Sequence, residues 1–503
     1  MILGGLDIGT TGCKLTVYED SGKYLGRAYR EYPAERTRRG HTIDASVILD
    51  SVYDVMREIG QKYPDLAGIG VTSFGETFVM TDAEGRPLAK SLLYTDPHGT
   101  EQRKYLEEKL GSRHIQEICG SRPYEMFSLP KLMWMRDHHP EICRQTKHVF
   151  LMQDFVVWHL THRAQIDYSL AARTMGLDIR TLRWSTEIFE AAGIDQELFA
   201  LPVPSGTPAG PLTWEAAQRT GLPETVQIIS CCHDQVAAAV GGGVFSAGTA
   251  LDGAGTVQCI TPFFDRMPDG NVMYEGNFPI IPYVLPGSYV TYAFETMGGA
   301  LLEWCTKTLA KEEGQRAKKA GMSVNAFLEQ EYLNEGNGRE PGSLLVLPHF
   351  AGAATPYMDA GSRGVILGLT SETTVADIYH GCMEGVVYEM MVNIEALKPS
   401  GISFRSLAAT GGGARSSMWM QMKADMLNLP VTVLETVDAG TTGSAMLTGI
   451  ALGCFRGLQD AAERMIVPKQ TFLPDSSVHG MYAERYLRYR ELYHAVRPLL
   501  SAE

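Results

Sequence analysis

Residues 1–17 read Met-Ile-Leu-Gly-Gly-Leu-Asp-Ile-Gly-Thr-Thr-Gly-Cys-Lys-Leu-Thr-Val, and this stretch decides which fold we expect. An apolar strand leads into a turn rich in glycine and threonine, and a second strand leads out of it. Glycines let backbone N–H groups come close to an anion, threonine hydroxyls can donate to it, and a lysine adds positive charge. The stretch therefore predicts a turn that binds phosphate, formed by Thr10, Thr11, Gly12 and Lys14.

Asp7, at the end of the first strand, can hold a hydrated metal ion. An ordinary β-hairpin without a ligand is the alternative interpretation.

The composition is that of a globular protein with more than one domain. A chain of 503 residues exceeds what one hydrophobic core normally supports, and 45% hydrophobic with 20% charged residues is typical of globular chains. The formal charge of −14 would repel a nucleic-acid backbone, so we expect no nucleic-acid partner. The sequence shows neither a secretion signal nor a membrane-spanning apolar run, so we expect a cytoplasmic protein without a membrane partner. Nine scattered cysteines suit reduced thiols.

The order of the predicted elements indicates two similar α/β domains. A strand–turn–strand pattern opens each half of the chain, at residues 2–32 and again at 249–260, and helices follow in both halves. A run of three glycines separates the halves, and we predict domains at residues 1–245 and 246–503. Two such domains would face each other across a cleft and grip a nucleotide from both sides. In the second half, we expect residues 311–342 to form an irregular polar stretch.

Short motifs argue against several enzyme classes. The chain lacks the Gly-x-x-x-x-Gly-Lys-[Ser/Thr] motif of P-loop proteins, and its glycine loops do not complete the Gly-x-Gly-x-x-Gly fingerprint of dinucleotide-binding proteins. Ser73 lacks the first glycine of a nucleophile elbow, and no His-Glu-x-x-His motif of zinc hydrolases is present. An oxidoreductase built on the glycine-rich loops is therefore a weak alternative.

Asp234 is a candidate general base. It lies between a predicted buried strand and a predicted helix, where its carboxylate could either cap the helix or face the cleft. In the cleft it can accept the proton of a hydroxyl that attacks a phosphoryl group. Gln235 beside it could orient the same hydroxyl. Glu76, at the end of another predicted strand, could accept hydrogen bonds from a polyol, with simple surface exposure as the alternative.

Two longer stretches resemble the FGGY family of carbohydrate kinases. The segment Met126-Phe-Ser-Leu-Pro-Lys-Leu-Met-Trp-Met-Arg-Asp-His138 matches the first family pattern at every restricted position. The second pattern falls at residues 364–384, where Gly381 and Cys382 depart from the usual residues. The resemblance extends from Asp7 to about Gly453. It implies an α/β fold of two actin/hexokinase-like (ribonuclease H-like) domains that flank a cleft for ATP and substrate.

The same resemblance implies a reaction and a set of site residues. It implies phosphorylation of a hydroxyl of a sugar or polyol by ATP with Mg²⁺, with Asp234 as the catalytic base and the turn of residues 10–14 at the phosphates. Further residues that would contact the nucleotide are Thr256, Gly299, Gly412 and Ser416. On local grounds alone, the glycine loop at residues 411–413 is equally compatible with a tight structural turn.

The resemblance determines the substrate less closely. Xylulokinases carry Met-His where this chain has Gly75 and Glu76, whereas glycerol kinases share Glu76 and Gln235 but have arginine in place of Gly75. Because glycine leaves more room than arginine, we expect a ketopentose such as xylulose, bound by Gly75, Glu76, Asp234 and Gln235. Glycerol, erythritol, gluconate or a deoxyketose are alternative substrates, and a protein of this fold that uses ATP only as a conformational switch is an alternative function. The oligomeric state stays open, with a homodimer as one alternative.

Overall fold

The strands and helices form two halves of similar construction. The computed structural model describes residues 1–38, 40–336, 338–436 and 438–500. The strands of the N-terminal half are β1 Ile2–Ile8, β2 Gly12–Glu19, β3 Tyr24–Glu31, β4 Ala34–Thr37, β5 Gly40–Ile43, β6 Leu66–Ser73, β7 Phe78–Thr81, β8 Ser91–Leu92, β9 His148–Leu151, β10 Gln165–Asp167, β11 Leu177–Asp178, β12 Arg183–Trp184, β13 Leu201–Val203, β14 Thr207–Pro211 and β15 Gln227–His233. Its helices are α1 Ala45–Lys62, α2 Thr100–Leu110, α3 Ser112–Cys119, α4 Ser128–His138, α5 Pro140–Gln145, α6 Met152–Thr161, α7 Tyr168–Ala172, α8 Thr186–Ala192, α9 Trp214–Thr220 and α10 Asp234–Gly241.

The C-terminal half follows the same plan with longer helices. Its strands are β16 Thr249–Ala254, β17 Gln258–Phe264, β18 Ile281–Pro282, β19 Tyr289–Val290, β20 Ala293–Glu295, β21 Leu345–Leu347, β22 Val365–Leu367, β23 Ser406–Thr410, β24 Val431–Leu434 and β25 Pro468–Phe472. Its helices are α11 Gly270–Glu275, α12 Gly299–Thr308, α13 Lys311–Lys319, α14 Val324–Asn334, α15 Val375–Leu397, α16 Ser417–Leu427, α17 Ala439–Ala451, α18 Leu458–Met465 and α19 Ser476–Leu500.

The two main sheets have matching topologies. The N-terminal sheet has the strand order β14-β15-β6-β1-β2-β3, in which β1, β2 and β3 form an antiparallel meander while β6 and β15 run parallel to β1. In the C-terminal sheet, β16 and β17 form the antiparallel hairpin, and β23 and β24 run parallel to β16. An antiparallel edge strand, β14 or β25, completes each set. Because the carboxyl ends of parallel strands share one edge, each sheet has one edge at which loops converge. The predicted pair of similar α/β domains is therefore observed.

A glycine pair in β1 allows the two halves to pack closely. Helix α17 belongs to the C-terminal half of the sequence but packs on β1, β6 and α10. A Cβ atom added to Gly5 would lie 2.0 Å from the carbonyl oxygen of Thr441 on α17, a distance that no real Cβ can adopt. The other side of the strand carries Leu6 and Ile8, which are fully buried. The sequence of β1 thus serves both a hydrophobic core and a close helix contact.

The prediction for residues 311–342 is wrong in part, because helices α13 and α14 occupy much of this stretch. Ser323 accepts a hydrogen bond from the backbone N–H of Ala326 at 3.2 Å and so caps α14. Leu328 and Tyr332 of α14 are buried. Most of the remaining side chains of α13 and α14 are polar, which made the stretch look irregular in the sequence. One narrow apolar face is enough to hold a helix against the rest of the protein.

Within the described residues, no helix has both the length and the apolar character needed to cross a membrane.

Candidate active site

Three parallel strands of the N-terminal sheet end at one edge, and a predicted site residue follows each of them. Ile8 of β1 is in register with Ser73 of β6, which is in register with His233 of β15. The turn after β1, the Gly75–Glu76 pair after β6 and Asp234 after β15 are therefore brought together. Ligands of open α/β sheets bind at this edge.

The turn after β1 holds its shape by backbone hydrogen bonds. The N–H of Gly9 donates to the carbonyl of Gly12 at 3.0 Å, and the Tyr32 hydroxyl donates to the carbonyl of Gly9 at 2.6 Å. Thr10 is half-buried and Thr11 is exposed at the tip of the turn. Both hydroxyls are thus placed where an anion in the cleft could reach them.

Lys14 connects the turn to the C-terminal half. It lies directly across the β1–β2 ladder from Asp7, and its ammonium lies 2.9 Å from Asp7 Oδ2 and 2.6 Å from Asp438 Oδ2. Asp438 Oδ1 also accepts the backbone N–H of Thr441 and caps α17. These two carboxylates raise the pKa of Lys14, so the side chain stays charged. The predicted phosphate ligand is held in two ion pairs that a bound phosphate would have to share.

Asp7 has one engaged and one unengaged carboxylate oxygen. Oδ2 contacts Lys14, whereas the buried Oδ1 has no hydrogen-bond partner among the described residues. Burial raises the pKa of Asp7, Lys14 lowers it, and the negative charge of Asp438 raises it further. In the parts of the chain that the structure describes, no group of three or more His, Cys, Asp or Glu side chains could hold a metal ion. A hard oxygen donor with few protein neighbours still fits Mg²⁺, which keeps several waters and phosphate oxygens as ligands.

Asp234 is the first residue of α10 and faces the cleft. His233 occupies the N-cap position, and its Nε2 lies 3.2 Å from Asp234 Oδ1. The Asp234 side chain is 28% exposed, and its carboxylate lies close to other acidic groups. Burial raises the pKa of Asp234 to about 7, and the negative charges of Asp7 and Glu76 contribute to this increase. Gln235 follows on α10 and is half-buried.

His233 links Asp234 to the C-terminal half of the site. Its ring is buried, and its Nδ1 lies 2.8 Å from the hydroxyl of Tyr292, just before β20. Burial and the charge of Arg173 lower the pKa of His233 well below its usual range, so the imidazole is neutral. When Asp234 is ionised, the single ring proton must lie on Nε2 to donate to it. Nδ1 then accepts the Tyr292 hydroxyl, and the three groups form a chain directed at the carboxylate.

Glu76 forms a buried ion pair with Arg173, which directly follows α7. Both side chains are only 6% exposed, and the Arg173 Nε donates to Glu76 Oε1 at 2.5 Å. Arg173 also occupies the space that Gly75 was expected to leave. A Cβ atom on Gly75 would lie 3.0 Å from Arg173 Cγ and 3.2 Å from His233 Cδ2. The space beside Gly75 is therefore filled by Arg173 and His233, and the expectation of a roomier pocket at this position is wrong.

The predicted nucleotide residues meet at the corresponding edge of the C-terminal sheet. Gly253 of β16 is in register with Thr410 of β23, so the loops after both strands are neighbours. The backbone N–H groups of Gly298 and Ala300, around the start of α12, donate to the Thr256 carbonyl at 3.0 Å, which places Thr256 beside Gly299. The other two predicted nucleotide residues, Gly412 and Ser416, lie in the loop after β23 and at its end.

That loop begins with Gly411 in a left-handed conformation (φ 93°), which favours glycine. Gly412 follows in a short 3₁₀ turn, and Ser416 caps α16 by accepting the N–H of Trp419 at 3.0 Å. The residues that line a cavity at this edge include Gly411, Gly412, Arg415, Glu435 and Lys469. The structure thus brings Thr256, Gly299, Gly412 and Ser416 to one side of the C-terminal half.

Sequence reasoning did not find Arg173, Tyr292, Asp438 or the role of His233. None of them belongs to a motif, and Arg173 is 97 positions from its partner Glu76. Cys231 and Cys232 of β15 are free thiols buried in the core. The sequence around Arg173, a charged residue directly after a short helix, does not show whether its side chain lies in a pocket or on the protein surface.

Comparison with known protein families shows to which family this chain belongs. Residues 1–241 match the model of the N-terminal domain of the FGGY family of carbohydrate kinases, and residues 273–452 match its C-terminal domain. A xylulose kinase from Bacillus subtilis is 27% identical over 509 residues, covering 99% of this chain and 98% of the relative. A glycerol kinase from Halorhodospira halophila is 28% identical over 514 residues, covering 99% and 96%.

A solved structure has the same architecture. The crystal structure of a xyloylose kinase from Brucella ovis superimposes with a TM-score of 0.87 at 26% identity, covering 99% of this chain and 100% of that one. The superposition covers nearly the full length of both chains and therefore includes both halves.

Proposed function

Because the chain belongs to the FGGY family of carbohydrate kinases, we propose that its acceptor is a neutral ketose, specifically a ketopentose such as xylulose. The enzyme is a carbohydrate kinase with ATP as its co-substrate and a small-molecule sugar as its acceptor. In the reaction, a sugar hydroxyl oxygen bonds to the γ-phosphorus while the bond from that phosphorus to ADP breaks. The hydroxyl proton must leave to a base.

The observation that carries the proposed phosphoryl transfer is the position of Asp234 together with its raised pKa. Its carboxylate lies at the edge where the turn after β1 and Glu76 meet, and its pKa of about 7 suits a group that accepts a proton near neutral pH. We assign to Asp234 the role of general base. Because His233 Nε2 contacts Asp234 Oδ1, we assign Asp234 Oδ2 as the oxygen that receives the hydroxyl proton.

His233 and Tyr292 position this base. The neutral imidazole donates from Nε2 to Asp234 and accepts from the Tyr292 hydroxyl, so it holds the carboxylate without adding a charge that would lower its basicity. Tyr292 lies in the C-terminal half and Asp234 in the N-terminal half. The base is therefore fully oriented only when the two halves are together, as they are in this structure.

We assign the phosphates to the turn after β1 and the remainder of the nucleotide to the C-terminal loops. Backbone N–H groups and the hydroxyls of Thr10 and Thr11 suit phosphate oxygens, and Lys14 supplies a cation at the cleft. Asp7 would hold Mg²⁺ through its unengaged Oδ1, and the ion would offset negative charge on the phosphates. Thr256, Gly299, Gly412 and Ser416 frame the nucleotide side of the cleft.

The charges around the acceptor position favour a neutral sugar over a sugar acid. The negative charges of Asp7 and Glu76 act on Asp234, and the cations near these groups include Lys14, paired with Asp7 and Asp438, and Arg173, paired with Glu76. Lys131 donates to the main-chain carbonyls of Tyr94 and Glu125, and burial lowers its pKa to about 8. Because Lys14 and Arg173 already pair with carboxylates of the protein, the site favours a neutral sugar over the negatively charged aldonate. Ketopentoses also agree with the name of the Bacillus subtilis relative.

The proposal is tested by ADP release from Mg-ATP with ketopentoses, deoxyketoses, aldonates, glycerol and erythritol. We expect one ketopentose to stimulate release strongly, and Asp234→Asn to lose about 10²–10⁴-fold of that rate while still binding ATP. Asp65→Asn, at an exposed aspartate outside the site, is the matched control and keeps the full rate. Stimulation by glycerol or an aldonate alone would refute the ketopentose assignment. Near-normal turnover in Asp234→Asn would remove Asp234 from the mechanism.

A further inference from the structure

The buried Arg173–Glu76 pair has an arrangement that a purely structural ion pair does not need. The Nε and Nη2 atoms of Arg173 both contact the same carboxylate oxygen, Oε1 of Glu76. An arginine and a carboxylate usually pair through two oxygens, in parallel hydrogen bonds. Here the second oxygen, Oε2, receives neither of these two contacts. The pair therefore keeps an acceptor atom in reserve.

Arg173 also keeps a donor in reserve. Its Nη1 is buried and has no hydrogen-bond partner among the described residues. The guanidinium is held over the rings of Phe127 and Tyr292, with its carbon 5.0 and 5.6 Å from the ring centroids. A buried N–H group without a partner is unfavourable, so a fixed guanidinium with a free Nη1 indicates a missing ligand oxygen.

The backbone at Glu76 supports a binding role. Glu76 has φ 63°, in the left-handed region that a glutamate rarely adopts, and the Ser128 hydroxyl donates to its carbonyl at 2.5 Å. Such conformations cluster at ligand sites, where the surroundings hold them in place. Gly75 before it carries no side chain, so the aliphatic part of Arg173 can lie across the backbone. Together these features fix both charged groups beside Asp234.

We infer that Arg173 is a specificity-determining residue whose Nη1 donates to one oxygen of the acceptor, in addition to the acceptor hydroxyl already expected at Glu76, which would donate to Glu76 Oε2. The acceptor class is then a neutral polyhydroxy sugar that carries oxygen on both of the carbons concerned. A deoxy analogue that lacks the oxygen facing Arg173 leaves the buried N–H unpaired, and it is rejected. This inference rests on the proposed function, because it concerns the acceptor of that reaction.

The experiment compares the best ketopentose with its monodeoxy analogues, in wild-type enzyme and in Arg173→Lys. Lysine keeps the positive charge beside Glu76 but cannot reproduce the fixed Nη1 donor. For wild type, we expect at least one analogue to be about 10–100-fold poorer in kcat/KM, as follows from an unpaired buried donor. In Arg173→Lys, we expect KM for the parent sugar to rise at least about tenfold, and the preference over that analogue to fall below about threefold.

A matched control separates this effect from general damage. Arg219 also pairs with a carboxylate, that of Asp50, and lies over an aromatic ring, that of Tyr53, but it is on α9 outside the cleft. Arg219→Lys is expected to keep both the KM and the preference of wild type. If Arg173→Lys does not fold, the double variant Glu76→Gln/Arg173→Gln removes both charges and is measured in the same way.

The outcomes distinguish the inference from the proposed function. If wild type phosphorylates the ketopentose and the Arg173 variants keep the wild-type preference, the inference is wrong and the proposed function stands. If wild type has the same kcat/KM for every monodeoxy analogue as for the parent sugar, the inference is also wrong. If wild type phosphorylates no sugar in the panel, the proposed function fails and the inference fails with it.

Discussion

Asp234→Asn is expected to stabilise the protein at the pH at which it abolishes catalysis. The pKa of Asp234 rises from 3.8 to about 7, chiefly because the carboxylate is buried near Asp7 and Glu76. About three pKa units correspond to about 4 kcal/mol, since each unit is 1.36 kcal/mol. Contact with solvent over 28% of the side chain makes this an upper limit. Asparagine has a similar shape and carries no charge, so the variant avoids this penalty.

The sign of the pH dependence follows from proton binding. In the unfolded chain the carboxyl group loses its proton near pH 4, whereas in the folded protein it keeps the proton until about pH 7. Between these values the folded state binds one more proton, so the free energy of unfolding falls as the pH rises. The stability advantage of Asp234→Asn should therefore be small near pH 4, grow up to about pH 7 and stay constant above it.

The assay is thermal unfolding of wild type, Asp234→Asn and the control Asp65→Asn, at pH 5, 6, 7 and 8 without nucleotide or sugar. A change of 1 kcal/mol shifts Tm by about 2–4 °C in domains of 150–250 residues, so an increase of several degrees is expected at pH 8. The difference between Asp65→Asn and wild type should not follow this pattern. A Tm of Asp234→Asn below that of wild type at pH 8, or a difference independent of pH, would refute the reasoning.

Two further predictions concern the base and the packing of the halves. The kcat/KM of wild type for its sugar should rise about tenfold per pH unit below about pH 7 and level off above it, because only ionised Asp234 accepts the proton. A kcat/KM that falls over this pH range would contradict the role of Asp234 as the base. Gly5→Ala should destabilise the protein by about 1–3 kcal/mol, because the new Cβ would meet the Thr441 carbonyl. The control Gly314→Ala should not destabilise it in this way, because a Cβ at Gly314 meets nothing within 4 Å. Equal Tm values for the two variants would show that the packing of α17 does not need glycine at position 5.

The sequence predicted the parts of the site that lie at strand ends. Asp7, Glu76 and Asp234 each follow or end a strand with a clear apolar pattern, and parallel strands bring such positions to one edge. These features depend on local patterns of hydrophobicity and on a general rule of sheet topology.

Other features depend on contacts between distant segments, which leave no local pattern. Arg173 reaches Glu76 across 97 positions, and it fills the space that Gly75 alone seemed to leave open. Lys14 was predicted as a phosphate ligand, but its ion pair with Asp438 depends on the docking of α17 on the N-terminal sheet. The polar surface of α13 and α14 hid two helices because only one narrow face of each is buried. The domain boundaries and the roles of the individual site residues stay predictions.

The most direct test of the central claim is ³¹P NMR of a mixture of enzyme, Mg-ATP and the stimulating ketopentose. We expect a sugar phosphate monoester that forms in equal amount to ADP, with little inorganic phosphate, and at most a small fraction of this ester in the Asp234→Asn sample over the same time. ADP formed together with inorganic phosphate alone, or ATP bound without turnover, would contradict phosphoryl transfer to a sugar and favour a protein that uses ATP as a conformational switch.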